Sequence, residues 1–220
     1  MTVYDILLFY TSTNQSIGVE MKIQELFSID HMTHIKNLDS ILKCGKLLAH
    51  RNPYKKVDIS NMEVNNRRTK REPIYGRQVH DYVPFYFNPR NAMMYKNKDE
   101  DVIILAFDTK IMTKYDMLFT DRNASADRAN FFNSLKDFDQ LDWKTIESKS
   151  WYPDNDIKQK MMAEVLIYKE VSLKHLKGIY CKDQATKDFL ITKYSFKKIP
   201  IKVCPSLFFK YDYSMLKRIA

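Results

Sequence analysis

The sequence predicts an α+β fold on three observations. The runs HDYVPFYF, DVIILAF and MMAEVLIYKEV are dense in strand-forming residues. The segments HMTHIKNLDSILKCGKLL and QATKDFLITKY carry helical apolar spacing beside them, which completes the mixed pattern. The four glycines form neither GxGxxG nor GxxxxGK[ST], which excludes a Rossmann turn or a P-loop. With 45% apolar and 13% aromatic residues over 220 positions, one sizeable core in a single domain is expected.

In chain order, residues 1–27 read as a short strand and a helix (VEMKIQELF), an N-terminal extension of unknown role before a domain at 28–220. HMTHIKNLDSILKCGKLL reads as a turn at HMTH, a start signal at Asn37 and Asp39, and a helix stopped by Gly45. Residues 50–79 are polar and cationic, with lysine and arginine pairs at 55–56, 67–68 and 70–71, and read as a loop holding one short helix. After the first two strand runs, FTDRNASADRANFFNSLKDFDQLDW predicts a helix with Phe131, Phe132 and Leu135 on one face. Beyond MMAEVLIYKEV come a short helix (LKHL), a strand (GIYC), the QATKDFLITKY helix and a closing strand (IPIKVCPSLFF). No internal repeat or low-complexity segment interrupts this order.

The net charge of +9 points to an anionic partner, nucleic acid first, with an anionic membrane or an acidic protein behind it. Cys44, Cys181 and Cys204 are scattered and form no CxxC pair, so neither zinc nor a disulfide framework is expected and a reducing cytoplasm fits. The apolar run Ile6–Tyr10 is too short to cross a bilayer and lacks a basic flank, so no membrane segment or signal peptide is expected.

Glu164 is a lone carboxylate in an apolar strand. It either faces water from a half-exposed strand, or is fixed beside a pocket where it can bond a sugar hydroxyl and offset developing positive charge. Arg68, in NNRRTKR, is either part of a solvated cationic run or an inward bidentate clamp on phosphate or carboxylate. His31 and His34 stand three apart with no cysteine or HExxH pattern nearby, a weak metal signal; a turn gripping a planar amide uses them equally well. His80 and Asp81 are adjacent on a strand and face opposite sides, which disfavours a dyad and puts His80 with Tyr82 on one polar face. No nucleophile signature is present.

HMTHIKNLDSILKCGKLLAH and VHDYVPFYFNPRNAMMY, followed in order by LFTDRNA, FFNSL, QLDW and MMAEVLIYK, resemble the DarT family, the DNA ADP-ribosyltransferases of bacterial toxin–antitoxin pairs. The resemblance spans about residues 28–210, and the octet HDYVPFYF is its most specific part. It implies an ADP-ribosyltransferase-like fold, a split, twisted β-sheet with flanking helices and NAD in the cleft between. It implies transfer of ADP-ribose from NAD onto a base of single-stranded DNA, thymine in the branch it looks closest to, with release of nicotinamide. A macrodomain antitoxin that reverses the mark, a monomer, no metal and no membrane attachment follow as expectations. The same fold acting on RNA or protein, or a non-catalytic single-strand-binding module, are the alternatives.

Carried over by motif, His31, Met32 and Thr33 hold the nicotinamide, and Ser40 and Leu48 line the cofactor site. Arg68 contacts NAD and polarises the acceptor base, and Glu164 is the catalytic glutamate. Residues 53–71 cover NAD, the stretch from Asn123 to Glu164 presents the DNA, and His80, Tyr82 and Arg90 stand on the substrate side, with the aromatic body of their strand as a floor for stacked bases. The chain departs from the family pattern at three places. Tyr75-Gly76-Arg77 replaces a frequent Gly-Gly, Asn91-Ala92 replaces Ser-Pro, and Met162 stands where glutamine commonly precedes the glutamate by two.

Overall fold

The computed structural model describes residues 26–50, 53–60, 62–194, 196 and 198–210; the strand and helix expected within residues 1–27 lie outside them except for Leu26 and Phe27, which are not helical. The described elements run β1 (Ile29–His34), α1 (Leu38–Cys44), β2 (Lys46–Leu48), α2 (Met62–Arg67), β3 (Tyr82–Tyr86), α3 (Ala92–Lys96), β4 (Val102–Phe107), β5 (Met117–Thr120) and β6 (Phe131–Phe132). They continue with α4 (Trp143–Ile146), α5 (Asn155–Lys160), β7 (Glu164–Tyr168), β8 (Glu170–Ser172), β9 (Leu176–Cys181), α6 (Gln184–Lys193) and β10 (Ile201–Val203). An eight-stranded sheet has the order β10-β9-β4-β1-β3-β7-β5-β6, antiparallel except for β9 with β10, and β2 pairs with β8 apart from it.

Strand alternation places buried clusters on both faces of this sheet. In β4, Ile103, Leu105 and Phe107 enter the main core with Phe85, Val165 and Ile167, while Val102 and Ile104 face a second cluster with Met32, Tyr86 and Phe208. Both faces being covered is why VIILAF is apolar throughout rather than alternating. Helix α1 buries Leu38 and Ile41, and Gly45 ends it at φ 69°, a left-handed cap whose N–H bonds the Ile41 and Leu42 carbonyls.

The sheet divides between β1 and β3. β1 is laddered to β4 along its whole length, and β3 likewise to β7, yet β1 and β3 share a single residue pair, Asp30 opposite Tyr86. Pro84 explains the break. Its carbonyl accepts from His31 Nδ1 at 2.8 Å, so that edge of residue 84 faces β1, and a proline offers no N–H there to continue the ladder. A cleft opens where the strands part.

Three expectations need correction. HMTH is a central strand rather than a turn, because each polar side chain has a local partner. Ser28 donates to Asp30 at 2.9 Å, His31 to Pro84, Asn37 Nδ2 to the Thr33 hydroxyl at 3.2 Å, and His34 accepts from Lys36 N at 3.1 Å. Asn37 makes no capping bond to α1; its side-chain oxygen accepts from the N–H groups of Lys56 and Val57, both at 2.9 Å, and its nitrogen donates to the Val57 carbonyl at 2.8 Å. The helix expected around Phe131 is β6 followed by a 3₁₀ turn at Leu135–Gln140, since Phe132 stacks on Phe119 of β5 at 5.1 Å.

Asp30 tests this packing through pH. Burial pushes its carboxyl up to about 7 from an ordinary 3.8, and the Ser28 hydrogen bond offsets only part of that. A carboxyl with a raised folded pKa keeps its proton in the fold and releases it on unfolding, so its contribution is full below about pH 4 and is lost as pH rises through 7. The stability difference between Asp30→Asn and the parent protein, from denaturant unfolding at pH 5 and pH 8, should shift in favour of the asparagine variant at pH 8 by about 1–4 kcal/mol.

Candidate functional site

The cleft has a volume of about 1090 Å³ and brings together residues from most of the chain. Met32, Thr33 and Tyr86 come from the parted strands, and Val57 and Asp58 from the segment that Asn37 clips down. Arg68 enters from the turn after α2, Asn123 and Ser125 from the loop after β5, Tyr95 from α3, and Lys158 and Gln159 from α5.

At its centre lies an ion pair. Arg68 Nη1 donates to both oxygens of Glu164, at 3.0 and 2.9 Å, and the Ala124 N–H donates to Glu164 Oε1 at 2.9 Å. Glu164 is 0% exposed and Arg68 9%, so the wet-face alternative for both residues is rejected. Burial alone would lower the Arg68 pKa, but the Glu164 charge beside it holds it above the ordinary value. Arg68 Nη2 is buried with no hydrogen-bond partner. The cleft wall here is Arg68, Tyr86 and Met162, and Glu164 stands behind them. Tyr86 faces Glu164 across the strand pair, and burial and that charge together raise its phenol pKa.

The remaining predicted residues divide in two. His31, Met32, Thr33, Ser40, Leu48, His80 and Tyr82 line the cleft together with Arg68. His80, on the 3₁₀ turn Val79–Asp81, stacks on His50 at 4.1 Å, and its Nε2 lies 2.8 Å from Asn65 Oδ1. Burial first and the Lys55 charge hold the His31 pKa down, against the Pro84 hydrogen bond. Tyr82 contributes its ring only. Its hydroxyl donates to Glu72 at 3.0 Å, away from the polar lip expected of it, and burial and Glu72 raise its pKa. Arg90 is outside the lining; its guanidinium lies 3.9 Å from the Phe209 ring centroid. There it backs an aromatic cluster in which Tyr95, Trp151 and Phe209 meet edge to face at 5.1 to 5.7 Å, with Tyr95 and Trp151 at the cleft. Among the described residues no group of three or more His, Cys, Asp or Glu gathers to hold a metal ion.

Sequence reasoning missed Asn37 as the clip, Ala124 N–H as an anchor, and Tyr86, Tyr95 and Trp151 as lining. Tyr86 and Tyr95 stand within VHDYVPFYFNPRNAMMY, but nothing in the sequence marked Trp151, and the convergence of the three depends on the fold.

The family described as "ssDNA thymidine ADP-ribosyltransferase, DarT" matches residues 31–209. A DNA ADP-ribosyl transferase of Thermus sp. strain 2.9 is 36% identical over 155 residues, which is 64% of this chain and 74% of that one. A DNA ADP-ribosyl transferase–DNA ADP-ribosyl glycohydrolase fusion protein of Thermosipho africanus is 26% identical over 205 residues, 86% of this chain and 50% of the fusion. Among solved structures, Thermus sp. 2.9 DarT with ADP-ribosylated single-stranded DNA aligns at TM-score 0.76 and 29% identity, over 84% of this chain and 97% of that one. The same protein with NAD+ aligns at 0.73 and 30%, over 84% and 98%.

The ion pair has a stability signature. Arg68→Ala, which leaves Glu164 buried against one N–H, should cost about 3–5 kcal/mol in urea unfolding, and adding Glu164→Gln should recover at least half by removing the uncompensated charge.

Proposed function

The chain belongs to the DarT family and is an NAD-dependent single-stranded-DNA ADP-ribosyltransferase, and from that premise we propose a residue-level reading with thymine as the accepting base. The observation that carries it is Glu164, held by Arg68 and the Ala124 N–H immediately behind the wall of a cleft that the parted strands open.

In this reading the β1 side of the cleft takes NAD. The edge of β1 beyond Asp30 is not laddered to β3, which suits residues 31–33 to gripping the nicotinamide carboxamide through backbone groups. Ser40 and Leu48 flank the same end, and the segment clipped by Asn37 covers it. Arg68 is the hinge of the reaction. An anionic group of the dinucleotide, drawn to the unpartnered Nη2, competes with Glu164 for the guanidinium and frees the carboxylate for the ribose 2′-hydroxyl. The Ala124 N–H keeps that carboxylate aimed meanwhile.

The transfer breaks the bond between ribose C1 and nicotinamide, whose nitrogen leaves with the electron pair. The same carbon bonds a ring nitrogen of the base, which loses its proton. Glu164 offsets the positive charge that builds on the sugar. Arg68 stays protonated and polarises the base rather than removing its proton.

DNA approaches from the other end. There Tyr95 and Trp151 give stacking faces beside Lys96 and Lys158, and stacking on such faces tolerates any neighbouring base. Arg90 acts by holding Phe209 behind them. The product mark is a toxic lesion, and its partner is a macrodomain glycohydrolase that removes it; the Thermosipho africanus fusion, which joins transferase and glycohydrolase in one chain, supports that pairing. The scattered free cysteines support a reducing cytoplasm as the compartment.

Incubating the protein with NAD and a thymine-containing oligonucleotide should add one ADP-ribose per acceptor by mass spectrometry, and Glu164→Gln should slow that addition by on the order of 10²–10³. A wild-type protein that yields no adduct overturns the reading. Trp151→Ala should raise KM for the oligonucleotide roughly 5- to 150-fold, the loss of one stacked base, while leaving KM for NAD within a factor of two.

A further inference from the structure

Asn123, on the loop after β5, is a buried polar side chain with a fixed orientation. It is 4% exposed and lines the cleft beside Met162. Its Oδ1 accepts from the Ser125 backbone N–H at 2.9 Å and also from the Ser125 hydroxyl. A backbone N–H can only donate, so the oxygen must face Ser125 and the amide cannot be flipped. Nδ2 therefore points the other way, where its partner is Met162 Sδ at 3.8 Å, a thioether and a weak acceptor.

The backbone around this amide is equally fixed. The Asn123 N–H donates to the Gln159 carbonyl at 3.0 Å, its carbonyl accepts from Ala126 N at 2.9 Å, and the next N–H along, that of Ala124, anchors Glu164 Oε1. A buried N–H donor of set direction thus stands one residue from the group that aims the catalytic carboxylate.

We infer that Asn123 Nδ2 is the base selector: it donates to a carbonyl oxygen flanking the reacting ring nitrogen of the accepted base. The inference rests on the transferase reading above and adds the rule by which bases are sorted. A ring N–H beside a carbonyl, as in thymine, becomes an anion as its proton leaves, with the charge shared onto that oxygen. A donor fixed there stabilises the charge as it forms. Adenine carries an amino group and no carbonyl beside its N1, which sets donor against donor and leaves Nδ2 buried without a partner, and cytosine N3, flanked by one carbonyl and one amino group, has no proton to lose and builds no such anion. Met162 sharpens the choice, because a thioether gives an amino group no strong acceptor in compensation. The rule favours a ring N–H beside a carbonyl over a ring nitrogen that lacks the proton or the carbonyl; it does not by itself separate thymine from guanine.

The test uses the full chain, NAD and three oligonucleotides with one acceptor each: thymine, 4-thiothymine and 2-thiothymine, sulfur being a poor acceptor. Relative kcat/KM is read for the parent, for Asn123→Ala and for Asn123→Asp, which keeps an oxygen for Ser125 but removes the donor. Asn123→Asp also serves if the alanine variant fails to fold. The expected result is that both variants lose at least about tenfold on thymine, while on one of the two thio bases they differ from the parent by less than twofold. KM for NAD stays unchanged. An equal loss on all three oligonucleotides, or no loss on thymine, overturns the selector role and leaves Asn123 as loop support. A parent protein that modifies none of them fails earlier, at the transferase reading itself.

Discussion

Glu164 sits in a strand with none of its side chain reaching water, in a place where an isolated carboxylate would cost several kcal/mol. Three chain segments meet to make that position tenable. β7 supplies the carboxylate, the turn after α2 supplies the Arg68 fork, and the loop after β5 supplies the Ala124 N–H. The Glu164 N–H donates in turn to the Thr120 hydroxyl at 3.2 Å, which ties the head of β7 to the end of β5. Moving β7 or the turn after α2 leaves an unpaired charge in the interior, and moving the loop after β5 leaves that carboxylate one hydrogen bond short, so the loops on both sides of the cleft bear on one residue. The turn after α2 is also tied to the approach to β3, where the His80 and Val79 N–H groups donate to the Arg68 and Lys70 carbonyls, both at 3.1 Å.

The cleft itself follows from an absent hydrogen bond. A proline within an apolar, aromatic strand would normally argue for an edge, and β3 is an edge in effect, laddered to β7 on one side and released from β1 on the other. His31 fills the gap by reaching across to the Pro84 carbonyl, which stops the two halves from drifting apart without closing the space between them. In the stretch HDYVPFYF the tyrosines and phenylalanines pack the two faces, the proline opens the seam, and the histidine stands at the rim.

Strands packed on both faces were legible in the sequence, because continuous apolar runs leave few other readings; DVIILAF and HDYVPFYF lie where the pattern puts them, with HD forming the turn that leads in, whereas MMAEVLIYKEV, expected as one strand, begins its strand only at Glu164 and is divided at Lys169, φ 63°, into β7 and β8 of separate sheets. So was α1, where the apolar spacing and Gly45 agree. β1 was not legible, since a central strand reading IDHMTH shows polarity that only the tertiary partners of each side chain account for. The site was legible at Arg68 and Glu164 as residue types, and the motif resemblance singled out both. Their contact was not, because 96 positions separate them and no local pattern encodes the pairing. Asn37 shows the same limit from the other side. Its place before a helix is that of a cap, but two N–H groups 19 and 20 residues away outcompete α1 for its oxygen.

Charge in the cleft is arranged rather than merely present. Lys55 is held by Asp58 at 2.7 Å, and Arg122 by Asp156 at 2.6 Å, so these cations offer an incoming polyanion a fixed geometry with part of their attraction already cancelled. Arg68 differs in one respect. In the proposed reading the carboxylate that neutralises it is also the one the chemistry needs, and both are withdrawn from solvent. Loosening the Arg68 contact without a replacement anion leaves two buried charges unpaired, so the resting protein keeps the carboxylate covered. A ligand that brings its own negative charge to the guanidinium removes that penalty at the moment its sugar arrives beside Glu164. On that proposal cofactor binding and exposure of the reactive group become one event, and the cleft otherwise presents water with a wall of arginine, tyrosine and methionine instead of a free carboxylate.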